Sequence, residues 1–161
     1  MSSAEVIKEL KKFPCKHLVI TGGEPLLQQS ALTELLSQLP GYYVEMETSG
    51  SLTSHLDKHI DLYNCSPKLS NSKNKQIVLE KFPSEKTDYK FVVSEEENLE
   101  EIKKFIKKHL INKDRVILMP EGVGKRKLAE RSKWLAEVCK KENFRFSPRL
   151  HIHLWGNKRK V

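Results

Sequence analysis

At 161 residues the chain is the size of one domain and can bury a core. Hydrophobic content of 38% and charged content of 31%, with a mean hydropathy of -0.55, describe a soluble globular protein, and no apolar run approaches the about eighteen residues a membrane helix needs, so a membrane span is excluded. The net charge of +8 and pI near 9.3 suit an anionic ligand or nucleic acid, and are equally a solvated lysine-rich surface.

Met1 to Lys8 has no apolar signal core, which places the protein in the cytoplasm. Ala4 to Lys12 carries Val6, Ile7 and Leu10 at helical spacing, and Phe13-Pro14-Cys15 ends that helix. His17 to Ile20 reads as a strand that runs into Thr21-Gly22-Gly23-Glu24-Pro25. Two glycines remove both Cβ atoms where a strand stops, so backbone groups can press against a ligand; a plain turn has the same composition. Glu24 adds a carboxylate placed to hold an ammonium, and Pro25 suits the first turn of a helix.

Ser30 to Leu39 is amphipathic through Leu32, Leu35, Leu36 and Leu39, and Pro40-Gly41 stops it. Tyr42 to Glu47 is the next strand, tipped by Thr48, Ser49 and Gly50; Ser51 to His59 reads as a short helix. Ile60 to Cys65 is a third strand, followed by Ser66-Pro67-Lys68. Asn71 to Gln76 is a polar, basic loop, and Ile77 to Phe82 shows no clear period. Tyr89 to Val93 is a fourth strand, after which Glu95, Glu96 and Glu97 complement the dipole of a helix over Asn98 to Leu110. Arg115 to Met119 is a fifth strand, ending at Pro120-Glu121-Gly122. Lys127 to Glu142 is a long basic helix facing inward with Leu128, Trp134, Leu135 and Val138. Leu150 to Trp155 alternates and reads as a last strand, which would put His151 and His153 on one face, where such a pair could bind a metal and is more often half-exposed and inert. Trp155 reads as core packing.

Strand then helix, repeated without a linker, predicts a single α/β domain over residues 1–161 with mainly parallel strands and right-handed crossovers. In such sheets ligands bind beyond the carboxyl ends of the strands, and every polar cluster above falls at one of those ends, which predicts one shared pocket. The three cysteines, Cys15, Cys65 and Cys139, lie tens of residues apart. That spacing argues against a disulfide framework and against an iron–sulfur loop, and the two later thiols read as small buried hydrophobes.

Thr21-Gly22-Gly23-Glu24-Pro25 resembles the glycine-glycine-glutamate motif of radical S-adenosylmethionine (SAM) enzymes. Together with Glu47-Thr48-Ser49-Gly50, Ser66-Pro67-Lys68-Leu69-Ser70, Tyr89-Lys90-Phe91-Val92-Val93 and the ending from Arg149 to Val161, it makes nearly the whole chain similar to the 7-carboxy-7-deazaguanine synthase family. The resemblance implies a partial β/α barrel and a SAM-dependent radical ring contraction of 6-carboxy-5,6,7,8-tetrahydropterin. It assigns SAM to Gly23, Glu24, Ser66, Pro67, Lys68, Met119, Pro120, Glu121 and Gly122, and the pterin to Thr21 and the terminal carboxylate of Val161. Ser66 and Lys68 read equally well, without the resemblance, as a turn with a solvated lysine. Lys160 stands where the family has glycine, which bears on the tightness of the final turn.

The family also uses a 4Fe-4S cluster held by a CxxxCxxC loop, and Mg²⁺. This chain resembles the C-terminal two-thirds of such an enzyme and contains neither that loop nor a Mg²⁺ ligand, so no catalytic or metal residue is assigned and the chain alone is expected to be inactive. The expected partners are the pterin and either a second copy or an N-terminal partner chain. Two other functions fit the sequence: a non-catalytic SAM- or nucleoside-binding remnant, and a basic RNA-contacting module. The second lacks the interleaved aromatics of a base-stacking surface.

Overall fold

A computed structural model describes residues 1–70, 72 and 79–158. The chain falls into two units, Met1–Ser66 with Val78–Thr87, and Pro67–Ile77 with Asp88–Val161.

In the first unit, helix α1 (Ser3–Leu10) starts with a capping box: the Ser2 hydroxyl accepts from the Glu5 N–H while the Glu5 carboxylate accepts from the Ser2 N–H. Strand β1 (His17–Ile20) leads through a 3-10 turn, Pro25–Gln28, into helix α2 (Gln29–Ser37), and strands β2 (Tyr43–Thr48) and β3 (Leu62–Cys65) follow. The three strands are parallel in the order β1-β2-β3, with Ile20 opposite Met46 and Met46 opposite Tyr63. Val44, Met46 and Thr48 alternate with less buried neighbours, as do Tyr63 and Cys65, so one sheet face is buried, and Leu26, Leu36, Leu39, Leu56 and Ile60 are buried in the same unit.

The helix expected over Ser51 to His59 is only a 3-10 turn, Asp57–His59. The Gln29 side chain holds the segment open, accepting from the His55 N–H at 2.7 Å and donating to the Thr53 carbonyl at 3.1 Å. Ser54 takes the Leu56 N–H instead of leaving it to a helix.

The second unit contains strand β4 (Thr87–Val93), helix α3 (Glu97–Lys108), strand β5 (Val116–Pro120), helix α4 (Lys125–Glu142), strand β6 (Arg145–Phe146) and helix α5 (Leu150–Trp155). β4, β5 and β6 are again parallel, with Phe91 opposite Leu118 and Leu118 opposite Phe146. Phe91, Ile102, Leu118, Leu128, Leu135 and Ile152 form its dry centre. At the amino ends of these strands the buried Asp88 carboxylate binds Arg115 at 3.2 Å and Arg145 at 2.6 Å.

Two sequence readings are corrected here. β6 is a strand that the sequence reading left out, and Leu150–Trp155 is a helix where a strand was expected. Ile152 and His153 both donate to the Arg149 carbonyl, and Ile152 alone in the segment is buried. Residues two apart diverge on a helix, so His151 and His153 do not share a face and form no metal pair. Trp155 is 49% exposed rather than core. The basic loop expected at Asn71 to Gln76 lies, apart from Ser72, outside the described residues.

Candidate functional site

β1 ends in two exposed glycines, and a Cβ built on Gly22 or Gly23 would meet nothing within 4 Å. The backbone there lines an open cavity of about 310 Å³ together with Thr21, Glu24, Leu27 and Gln28. Glu24 caps the turn that follows: its Oε1 accepts from the Leu26 N–H at 3.2 Å and the Thr48 hydroxyl at 2.8 Å. Its Oε2 accepts from the Ser49 N–H at 2.9 Å and the Ser49 hydroxyl at 2.6 Å. Burial pushes the Glu24 pKa up, but the bonds from Ser49, Thr48 and Leu26 outweigh it and hold the carboxyl below its ordinary value.

The side chain expected to receive an ammonium is therefore engaged by the tip of β2. What remains open to a ligand is the glycine backbone, with the carboxylate fixing its position from behind. Sequence reasoning quoted Thr48 and Ser49 as part of a motif and missed this role. The available signal was two hydroxyl residues at a strand tip, Thr48 and Ser49, beside an acid at the tip of the preceding strand.

The tips of β1, β2 and β3 are tied together in the first unit. Ser66, just past β3, donates its N–H to the Thr48 carbonyl at 2.8 Å, so Glu24, Thr48 and Ser66 form one hydrogen-bonded series. Gly50 is required by geometry: its φ is +76°, a Cβ there would sit 2.7 Å from Leu79 Cδ1, and its carbonyl accepts from the Glu80 N–H. Cys65 is fully buried, and burial, followed by the charges of Glu24 and Glu47, pushes its thiol well above the usual range.

In the second unit Pro67 is buried and Lys68 half-buried. Met119, Pro120, Glu121 and Gly122 lie together at the tip of β5, where the Glu121 N–H donates to the Val93 carbonyl at 2.8 Å. Two arginines that the sequence reading did not single out pin this loop. Arg131 donates to both the carboxylate, at 2.6 Å, and the main-chain carbonyl of Glu121. Arg149 donates to the Gly122 carbonyl at 3.1 Å, and its buried Nε has no partner among the described residues. Val161 lies outside the described residues.

The donor set fits SAM and does not fit an iron–sulfur cluster. In the first unit, an open glycine backbone beside a cavity, with the Thr48, Ser49 and Ser66 hydroxyl residues at the neighbouring strand tips, suits an amino-acid ligand. Cys15 is exposed, while Cys65 and Cys139 are buried, and among the described residues no three His, Cys, Asp or Glu side chains come together to hold a metal ion.

Mainly parallel strands joined by helices, with polar residues collected at the carboxyl tips, define an α/β protein of the ligand-at-strand-tip kind. No family model matches the chain. It is 39% identical over 159 residues to the 7-carboxy-7-deazaguanine synthase of Pyrobaculum aerophilum, covering 96% of this chain and 72% of that protein. The enzymes of the same name from Halobacterium salinarum and Aquifex aeolicus are 31% and 34% identical, over 98% and 92% of this chain and 72% and 68% of theirs. The chain belongs to the 7-carboxy-7-deazaguanine synthase family. The crystal structure of QueE from Escherichia coli superposes with a TM-score of 0.72 at 22% identity, over 92% of this chain and 64% of that one. That likeness shows the expected fold, a partial β/α barrel with mainly parallel strands.

Proposed function

We propose that this chain binds SAM and 6-carboxy-5,6,7,8-tetrahydropterin as part of a 7-carboxy-7-deazaguanine synthase, a radical SAM lyase of 7-deazapurine synthesis in the cytoplasm. The observation that carries this reading is the open Gly22-Gly23 backbone, braced by Glu24 through Thr48 and Ser49. In the first unit the backbone of Gly23 and Glu24 takes the aminocarboxylate of SAM, Thr21 takes the pterin, and the Ser66 hydroxyl serves the ribose. In the second unit Pro67 and Lys68 accompany Ser66 in sequence, Lys68 offering a cation to a carboxylate, and Met119 to Gly122 serve the adenine. The resemblance adds the Val161 carboxylate on the pterin side.

SAM, when bound, supplies the 5′-deoxyadenosyl group; the residues here bind it, orient it and exclude water. The three thiols of these 161 residues are too scattered to hold a cluster, so these residues alone do not cleave SAM. A segment bearing the cysteine loop and the Mg²⁺ ligand, whether in this polypeptide or in another, is what this reading requires beside these residues.

The test has two stages. Calorimetry should detect SAM binding to the chain, and Gly23→Val should abolish it with an unchanged melting temperature, because the added side chain enters open space. Mixing with a separately made cysteine-loop polypeptide should then yield 5′-deoxyadenosine and 7-carboxy-7-deazaguanine. The scattered cysteines also favour a second reading, a non-catalytic SAM-binding protein, for which binding persists and no product forms on mixing.

A further inference from the structure

We propose that the groove at the carboxyl end of α3 docks an acidic segment of a partner protein that carries an aliphatic anchor. The first observation is Leu110. α3 closes with the Leu110 N–H on the Lys107 carbonyl and the Ile111 N–H on the Ile106 carbonyl, which puts Leu110 in the left-handed conformation at φ +54°. That position belongs to glycine or asparagine. α4 ends the same way and uses Asn143, at φ +58°. Leu110 is moreover 91% exposed. A leucine there carries backbone strain and an apolar side chain held in water at the edge of a groove.

The second observation is what Leu110 overhangs. A groove of about 590 Å³ has Ile106, Ile111 and Phe144 as its floor, with Lys107 and Lys113 beside it. The Lys113 ammonium lies 5.5 Å from the Phe144 ring centre. Glu142, the carboxylate in the groove, is taken up by Lys103 at 3.0 Å. The free sign of the rim is positive, which selects an acidic occupant. A second copy docked by the same face would set these lysines against each other.

The experiment is fluorescence anisotropy on the full chain with a labelled amphipathic peptide, leucines on one face and glutamates on the other. The control peptide keeps the leucines and replaces the glutamates by lysines. The acidic peptide should bind, and L110D and the K107E/K113E pair should each weaken it about tenfold. L110G should weaken it too, while raising the melting temperature of the free chain, because glycine relieves the left-handed strain. Failure of the acidic peptide to bind, equal binding of both peptides, or indifference to L110D overturns the proposal. So does oligouridine binding that falls with K107E/K113E but survives L110D, which would mark a plain polyanion surface. Concentration-dependent dimerisation lost in L110D would assign the groove to a second copy and overturn it as well.

Discussion

Glu24 has four donors aimed at its two oxygens, from Leu26, Thr48 and Ser49, so its charge is part of the fold before any ligand arrives. Its folded pKa lies below the unfolded one, so the stability it contributes is present above the unfolded value and disappears as pH falls through the folded value. Glu24→Gln inserts an amide donor among those donors. Its melting temperature should fall furthest below wild type near neutral pH, and the gap should close as the pH drops through the carboxylate range; thermal melts at several pH values check this. SAM affinity should fall in the same variant, because the glycine backbone loses its brace. Gly50 is the second residue whose identity is forced. Gly50→Ala puts a Cβ against Leu79 in a left-handed backbone, and urea unfolding should show a loss of about 1 to 2 kcal/mol.

Asp88 acts one level up, where a single carboxylate joins Arg115, which precedes β5, and Arg145, which opens β6. Asp88 is 5% exposed, so Asp88→Asn leaves two guanidinium groups short of a charge they were folded around. We expect about 2 kcal/mol of destabilisation by denaturant titration. Elements of this kind differ in how far their residues announce them. β4 and α3 were legible because β4 is apolar on alternate positions and α3 repeats Ile102, Phe105 and Ile106 at helical spacing behind three glutamates. β6 has two residues, too few to show a period. α5 was misread because Leu150, Ile152 and Leu154 alternate like a strand. What decides it is the carbonyl of Arg149 accepting from Ile152 and His153, and the short β6 already lying beside β5, neither of which the residue pattern reports.

On the scale of the whole chain, the polar groups at the strand tips were legible because they are glycines and hydroxyls stranded where a strand must end. The bracing side chains, Arg131 and Arg149, were not, because their partners are carbonyls far along the sequence. The sheet of the first unit raises a further consequence. It runs β1-β2-β3, so β1 is hydrogen-bonded to β2 on one side and has no other described strand beside it. An edge of this sort is a template for another chain, and natural edges are blunted by lysine, proline or a bulge. β1, His17-Leu18-Val19-Ile20, has none of these within it, and Val19 is 49% exposed. Lys16 just before it is the nearest positive charge in sequence. Light scattering across a concentration series should therefore show self-association of the chain. Val19→Lys should reduce it without lowering the melting temperature, since the side chain is already in water. L110D should leave this association unchanged, because Leu110 belongs to the second unit and to a different kind of surface. If Val19→Lys associates as strongly as wild type, the edge of β1 is not where copies meet.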